Sequence, residues 1–497
     1  MLCPVVRSSW MAGLLLTAAC ARAEPAGHAP PPPPPPPSSS GKLHVSVVDT
    51  DTGVAMPCKL LFSTEPHEHG PHFGMGTVGE WLGPSALGTD NAVYGDPCDV
   101  ELELHAGTVH VQASRGIEYE IAQADVNIPA DGRADLKLEL TRALDTHGYA
   151  CADFHVHSAP SFDSDVPLDQ RLISAIGEGL DAIAPTDHDA LGDWDAELAR
   201  MNMADELTVV LGNEVTPDHW GVPQAIGHFG VFPVPRDFDP QVYQASWQSP
   251  AGLLERLDAV FPDSLIQVNH PRWDATIGYF SAAGFNPLDM HIDERLGLSH
   301  LDAIEVWNSH EIDTTGGTPL ETLLQDYYAL LDLGVALVAT GNTDTHELSR
   351  QPLGYPRNCI RVPDDGHPGL TPEAVTDGVS QGKVMVTSGP WLEVTIDGHG
   401  PGERVMRPDA PVLDVQVDAA SWVPVERLQV IVNGRTVETR QLRSLPALLH
   451  IPLQLPDAVS YIMVLVDALP PLPNVGGSLR FPQRSLAFTN PIWVQAR

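Results

Sequence analysis

Asp153-Phe154-His155-Val156-His157-Ser158 closes an apolar run that begins at Tyr149. Side chains alternate faces along a strand, so Asp153, His155 and His157 point the same way. The two imidazoles can then chelate one ion from a single strand end. A lone His-x-His pair is weak evidence, because exposed strands carry it by chance. Repetition downstream makes it informative. Asp187 and His188 follow the run Leu180 to Ala184, and Glu214 follows Leu207 to Leu211. His228 sits in Gly227-His228-Phe229-Gly230, His270 follows Leu265 to Val268, and Asp344 and His346 follow Val335 to Ala339. Helix-like stretches separate these runs: Pro167 to Glu178, Ala190 to Met203, Ala251 to Phe261, Pro319 to Leu333 and Thr371 to Gln381. Alternating strand and helix predicts an α/β unit over 143–390, a parallel sheet or a barrel of about seven strands. In such barrels the site lies at the strand C-termini.

Imidazole nitrogen and carboxylate oxygen together suit Zn, Mn or Fe. Glu214 is able to bridge two ions, and Asp344 and His346 share one alternating face. Each residue taken singly has a plainer reading, such as a hydrogen-bonded His or, for Asp187, a helix N-cap. Ligand types at strand end after strand end predict a multinuclear metal site and hence a metallohydrolase. No CxxC spacing occurs, which argues against a Cys-based zinc site.

As an ordered set, Asp153-Phe154-His155-Val156-His157-Ser158, Thr186-Asp187-His188, Gly212-Asn213-Glu214, Asn269-His270-Pro271 and Thr343-Asp344-Thr345-His346 resemble the motifs of the PHP (polymerase and histidinol phosphatase) superfamily. Gly227-His228-Phe229, Glu305-Val306-Trp307-Asn308 and Thr387-Ser388-Gly389-Pro390 resemble its carbaryl-hydrolase-like branch. The resemblance spans about half the chain. It implies a distorted (β/α)7 barrel holding two divalent ions, Zn, Mn or Fe, with a third position beside them. It places His155 and His157 on the first ion with Glu214 and Asp344. Glu214 then bridges to a second ion held by His228 and His270, while His188 and His346 face the third position. Trinuclear members carry another His shortly after the His-x-His motif. Here that neighbourhood is Ser161-Phe162-Asp163-Ser164-Asp165, so Asp163 is the substitute ligand and two ions are the firmer expectation.

The implied chemistry is hydrolysis of a small-molecule phosphoester or carboxyl or carbamate ester by a hydroxide bridging the ions. Asp187 or Asp344 is the proton acceptor. Arg272, two residues after His270, either pairs with an anionic group of the substrate or forms a structural salt bridge. The alternative is a non-catalytic, metal-containing surface binding protein.

The flanks differ in character. Residues 42–142 alternate as short strands and resemble a carboxypeptidase-regulatory-like β-sandwich. Residues 391–497 read as a second small β-sandwich, with a hairpin turn at Asn433-Gly434. The expected fold class is therefore α/β, a barrel flanked by two all-β domains. A His-rich tract, Glu65 to His72, reads as a solvated loop or as a metal binder. Cys58 and Cys98 either pair or stay as two thiols, and Cys151 and Cys359 lie in apolar runs and read as core.

With 65 acidic against 27 basic residues, the formal charge is −38. That argues against a nucleic-acid partner and against a polymerase-linked nuclease role. Residues 1–23 read as an export signal, with Arg7 ahead of an apolar Met11 to Ala19. Cleavage after Ala21-Arg22-Ala23 frees Glu24, whereas cleavage after Ala19 leaves a lipid tether on Cys20. Residues 24–41, with Pro30 to Pro37, read as a semi-rigid linker. No stretch after the signal is long enough to span a bilayer. An exported protein follows, periplasmic or extracellular.

Overall fold

The computed structural model describes residues 39–63, 77–79, 83–220, 227–237, 239–244, 249–273, 277–288, 296–309, 319–348, 351–363, 369–458, 460–473 and 483–495. The export segment, the proline tract and the His-rich tract lie outside the described residues.

Alternating burial along Ser40–Asp49 turns Leu43, Val45 and Val47 inward. This strand pairs antiparallel with Asp99–His105 and parallel with Arg133–Leu140. A second, six-stranded sheet includes Cys58–Ser63, Gly107–Ser114 and Ala122–Ile128. The two sheets share one core, in which Leu43, Val45 and Val47 meet Leu60, Phe62, Val109 and Val111. Cys58 and Cys98 pair as a disulfide within it.

Beyond residue 143 the fold is mixed α/β, and all five expected helices form: Leu168–Gly177, Trp194–Met201, Pro250–Val260, Leu320–Asp332 and Pro372–Ser380. Asp193, Ser249 and Thr371 cap three of them with side-chain oxygens. The strands depart from expectation. Tyr149–Val156 pairs parallel with Ala182–Pro185, but its other edge pairs antiparallel with Arg357–Arg361. A separate five-stranded sheet runs Asn213–Val215, His228–Phe232, Leu265–Asn269, Ala303–Asn308 and Val338–Asn342. Its first two pairings are antiparallel and its last two parallel. The fold here is mixed α/β, and the ladders form two sheets; they do not by themselves draw the expected distorted (β/α)7 barrel. Parallel neighbours are joined through helical crossovers, as parallel pairing requires, but two antiparallel steps carry helices as well: Pro250–Val260 lies between His228–Phe232 and Leu265–Asn269, and Pro372–Ser380 between Arg357–Arg361 and Val384–Thr387.

Side chains stitch these sheets where the ladders stop. Asn342 Oδ1 accepts the Phe154 N–H at 3.0 Å, and Asn358 bonds both the N–H and the carbonyl of Gly341. Bridges Val156–Thr345 and His188–Glu214 close the seam at the ligand-bearing rim. Every strand position of the five-stranded sheet is buried, and the core is continuous from Phe154 through Val231 and Val268 to Ile304.

Val384–Thr387 pairs with Leu486–Thr489, carrying the first of these sheets past residue 390 into the C-terminal strands. The predicted hairpin at Asn433-Gly434 joins Arg427–Val432 to Arg435–Gln441. Cys151 and Cys359 are buried, as read, but the antiparallel register sets them opposite each other and they form a second disulfide. The two β-rich flanks also touch: Glu120 accepts the Ser421 N–H at 2.9 Å, and Trp422 Nε1 donates to the Tyr119 carbonyl at 2.9 Å. Among the described residues, no helix is long and apolar enough to cross a membrane.

Candidate metal centre

The strand ends deliver the ligand-type residues to one rim. His155 and His157 leave the same face of Tyr149–Val156, with ring centroids 5.1 Å apart. Glu214 lies in Asn213–Val215, His228 begins its strand, and His270 follows Leu265–Asn269. Two positions hold backbone conformations unusual for non-glycine residues, His270 at φ +26° and Asp344 at φ +54°. Such strain persists where surroundings enforce it, and it concentrates at functional sites.

Glu214, fully buried, is the hub. Its Oε1 lies 3.2 Å from His155 Nε2, 3.3 Å from His270 Nε2 and 3.4 Å from His228 Nδ1. Its Oε2 lies 3.0 Å from His188 Nδ1 and 3.5 Å from His157 Nε2. Asp344 Oδ1 sits 3.2 Å from both His155 Nε2 and His157 Nε2. A third cluster gathers at the rim, where Asp163 Oδ2 meets His188 Nε2 at 3.2 Å and His346 Nε2 at 3.1 Å, with His157 beside them. All nine sequence-predicted ligands therefore converge.

Hydrogen bonds aim the rings. His155 Nδ1 is held by Glu305 at 2.9 Å, turning Nε2 inward. His157 Nδ1 meets Ser161 Oγ at 3.2 Å, and His228 Nε2 meets Asp218 at 2.9 Å, which leaves Nδ1 facing Glu214. Asn269 donates to Glu214 Oε1 at 2.8 Å. Such outer partners fix ring orientation and ligand basicity.

Charge is distributed as proton against carboxylate. Burial opposes ionisation of Glu214, but His155, His188 and His228 hold its pKa well below the carboxylate range. Asp344 is likewise held low against burial, by His155 and His157. Burial pulls His188 down, yet Glu214 and Asp163 outweigh it and lift it to about 10. Burial also opposes His228, which Glu214 and Asp218 lift to about 9. His157 goes the other way, driven to about 3 by burial and by His346. Protons here stand where a cation would, and metal binding would displace them.

The donor set fits divalent ions. His155 Nε2, His157 Nε2, Glu214 Oε2 and His228 Nδ1 are buried with no hydrogen-bond partner among the described residues. Ligands about 2.1 Å from a tetrahedral Zn stand about 3.4 Å from one another. The separations of 3.2 to 3.5 Å around Glu214 and Asp344 match that spacing.

Two predicted catalytic residues have hydrogen-bond partners of their own. Asp187 faces Ser158, accepting its N–H at 2.6 Å and its hydroxyl at 2.7 Å. It anchors the loop after His157 and caps no helix, since Asp193 does that for Trp194–Met201. Arg272 makes a two-pronged bond to Asp326, at 2.6 and 2.8 Å, and donates to the Phe285 carbonyl. Of the two roles open to it, the structural salt bridge is the one the geometry shows. Asp344 reaches the centre, but its depressed pKa suits a ligand better than a proton acceptor. Sequence reasoning gave no role to Glu305 and overlooked Asp218. The signal for Glu305 was a carboxylate inside the apolar run Ala303–Asn308.

No protein-family model matches the chain, and no curated protein does. Among solved structures, the chain is similar to a two-domain protein containing a predicted PHP-like metal-dependent phosphoesterase from Bacteroides vulgatus. The identity is 15% and the TM-score 0.37, over 70% of this chain and 97% of that one. It is similar to a lesion-specific endonuclease from Pyrococcus furiosus at 16% identity and TM-score 0.30, over 47% and 56% of the two chains. A minor pilin of Streptococcus agalactiae matches at 14% identity and TM-score 0.18, over 22% and 46%. At such TM-scores none of these likenesses carries the functional reading, which rests on the site geometry.

Proposed function

We propose that the chain is a divalent-metal-dependent hydrolase of small esters, of the PHP type and its carbaryl-hydrolase-like branch. One observation carries this: eight His and Asp side chains gather on or beside Glu214, and four ligand-facing polar atoms of the set are buried without a hydrogen bond. In this reading His155, His157, Glu214 and Asp344 hold one ion. Glu214 extends to a second with His228 and His270, and Asp163, His188 and His346 border a third position. Bound divalent ions lower the pKa of water and polarise a phosphoryl or carbonyl oxygen. The chain's own part is to hold Glu214 and Asp344 ionised in a buried place, to aim the imidazoles through Glu305, Ser161 and Asp218, and to keep water from the inner face of the cluster. Export across a membrane, with or without a lipid on Cys20, belongs to the same proposal.

The test is metal analysis of purified protein, followed by assay with Mn or Zn against an aryl phosphate, an aryl carboxyl ester and an aryl carbamate. Turnover of at least one is expected, with metal and turnover both lost in Glu214→Ala. A metal-replete sample inert on all three, or Glu214→Ala with full activity, overturns the proposal. Stoichiometric metal without turnover is what the binding-protein alternative predicts.

A further inference from the structure

Arg171 lies in the helix Leu168–Gly177 and is 1% exposed. An interior guanidinium normally finds a carboxylate, because an unpaired buried charge is costly. None of the bonds Arg171 makes among the described residues goes to one. Nε and Nη2 donate to the His157 carbonyl at 3.0 and 2.7 Å. Nη2 also donates to the Thr345 carbonyl at 3.3 Å. Nη1 reaches Thr345 Oγ1 at 3.3 Å and the Glu347 carbonyl at 3.4 Å. Burial lowers its pKa to about 10, with Asp187 and Asp153 opposing from a distance. It therefore stays a cation whose immediate solvation is peptide carbonyl.

Those carbonyls belong to two different ligand-bearing segments. One ends the first strand at His157. The other carries Asp344 and His346 on either side of Thr345. Among the described residues two backbone bonds join these segments, His157 N–H to the Thr345 carbonyl at 3.0 Å and Asp344 N–H to the His155 carbonyl at 2.9 Å, and Thr343 adds bonds from its N–H and hydroxyl to Asp153. The planar fork of an arginine spans both carbonyls at once; an ammonium is a point donor and cannot hold that geometry. We propose that Arg171 is a positioning residue of the metal centre, clamping the His157 and Thr345 carbonyls so that His157, Asp344 and His346 keep their mutual spacing.

The proposal rests on the metal-centre reading, and the experiment separates the two. Wild type, Arg171→Lys and Arg171→Gln are purified, stripped with a chelator and titrated with Mn and with Zn against a chromogenic competitor. Melting temperatures are recorded for the stripped and loaded forms. Loss of an outer partner typically weakens metal affinity about 10–100-fold. Both variants are expected in that range, with the metal-induced rise in melting temperature reduced, not merely shifted with the stripped form. Equal drops in stripped and loaded forms with unchanged affinity overturn the clamp, since that is what a folding role alone produces. Failure of both variants to fold overturns it for the same reason. A wild type that takes up neither ion overturns the metal centre itself.

Discussion

Glu305→Gln is the sharpest probe of the buried network behind the ligands. The side chain is fully buried and receives four donors. His155 Nδ1 and Asn342 Nδ2 meet Oε1 at 2.9 Å each, while the His270 N–H and Asn308 Nδ2 meet Oε2 at 2.7 and 2.9 Å. The substitution keeps shape and removes one acceptor. Whichever way the new amide turns, its NH2 faces two N–H donors. Turned one way it opposes His155 and Asn342, turned the other way the His270 backbone and Asn308. A buried donor left unsatisfied costs about 1–3 kcal/mol. Either orientation disturbs a proposed ligand, because His155 loses its anchor or the segment entering His270 loses its tie. Metal affinity should fall about 10–100-fold, equivalent to about 1.4–2.7 kcal/mol. Chelator competition with Mn or Zn measures it, with circular dichroism to verify the fold. A folded variant whose affinity stays within about twofold of wild type refutes the reasoning.

Three further outcomes follow from other sites. Lys59 and Glu178 pair at 2.5 Å with both side chains at 0% exposure, so Lys59→Met should cost about 3–5 kcal/mol in denaturant unfolding. A cost under about 1 kcal/mol would place the pair among surface-like bridges. Asp96 is raised to about 6, by burial first and Glu206 second. A carboxyl raised in the folded state favours folding at pH below the ordinary 3.8, and that contribution fades as pH climbs to about 6. Asp96→Asn should flatten the loss of stability between those pH values, leaving the part due to other buried carboxyls raised by burial, Asp153 (to about 6), Asp181, Asp187 and Asp189 among them; an unchanged slope by thermal melts against pH contradicts this. Asp163→Ala should reduce bound metal by about one equivalent where a third ion is present, with the ions around Glu214 retained. Unchanged stoichiometry by elemental analysis would remove Asp163 from the ligand set.

What the sequence disclosed was local in origin. The His-x-His spacing, the five helices and the Asn433-Gly434 turn are set by period-two or period-3.6 patterns and turn chemistry within a few residues. What stayed hidden was pairing at a distance. Cys151 and Cys359 lie 208 residues apart, and nothing in either apolar run states the antiparallel register that joins them. The antiparallel steps among Asn213–Val215, His228–Phe232 and Leu265–Asn269 were missed for the same reason, since a fully buried strand reads alike in either direction. Arg272 was ambiguous because Asp326 lies 54 residues on.

Glu305 and Arg171 show that part of this distance information was nonetheless encoded. Each is a charge inside an apolar context: Glu305 between Ile304 and Val306 in a strand buried at every position, Arg171 beside Leu172 and Ile173 on a buried helix face. Burial of a charge without partners is too costly to persist. Such a residue therefore announces, from sequence alone, that several polar groups must converge on it, though not which ones. Here those groups belong to the segments bearing His155, His157, His270 and Asp344. Interior charge alone is not the signal, since Lys59 and Glu178 are buried and pair with each other; Glu305 and Arg171 differ because their partners lie on the ligand-bearing segments.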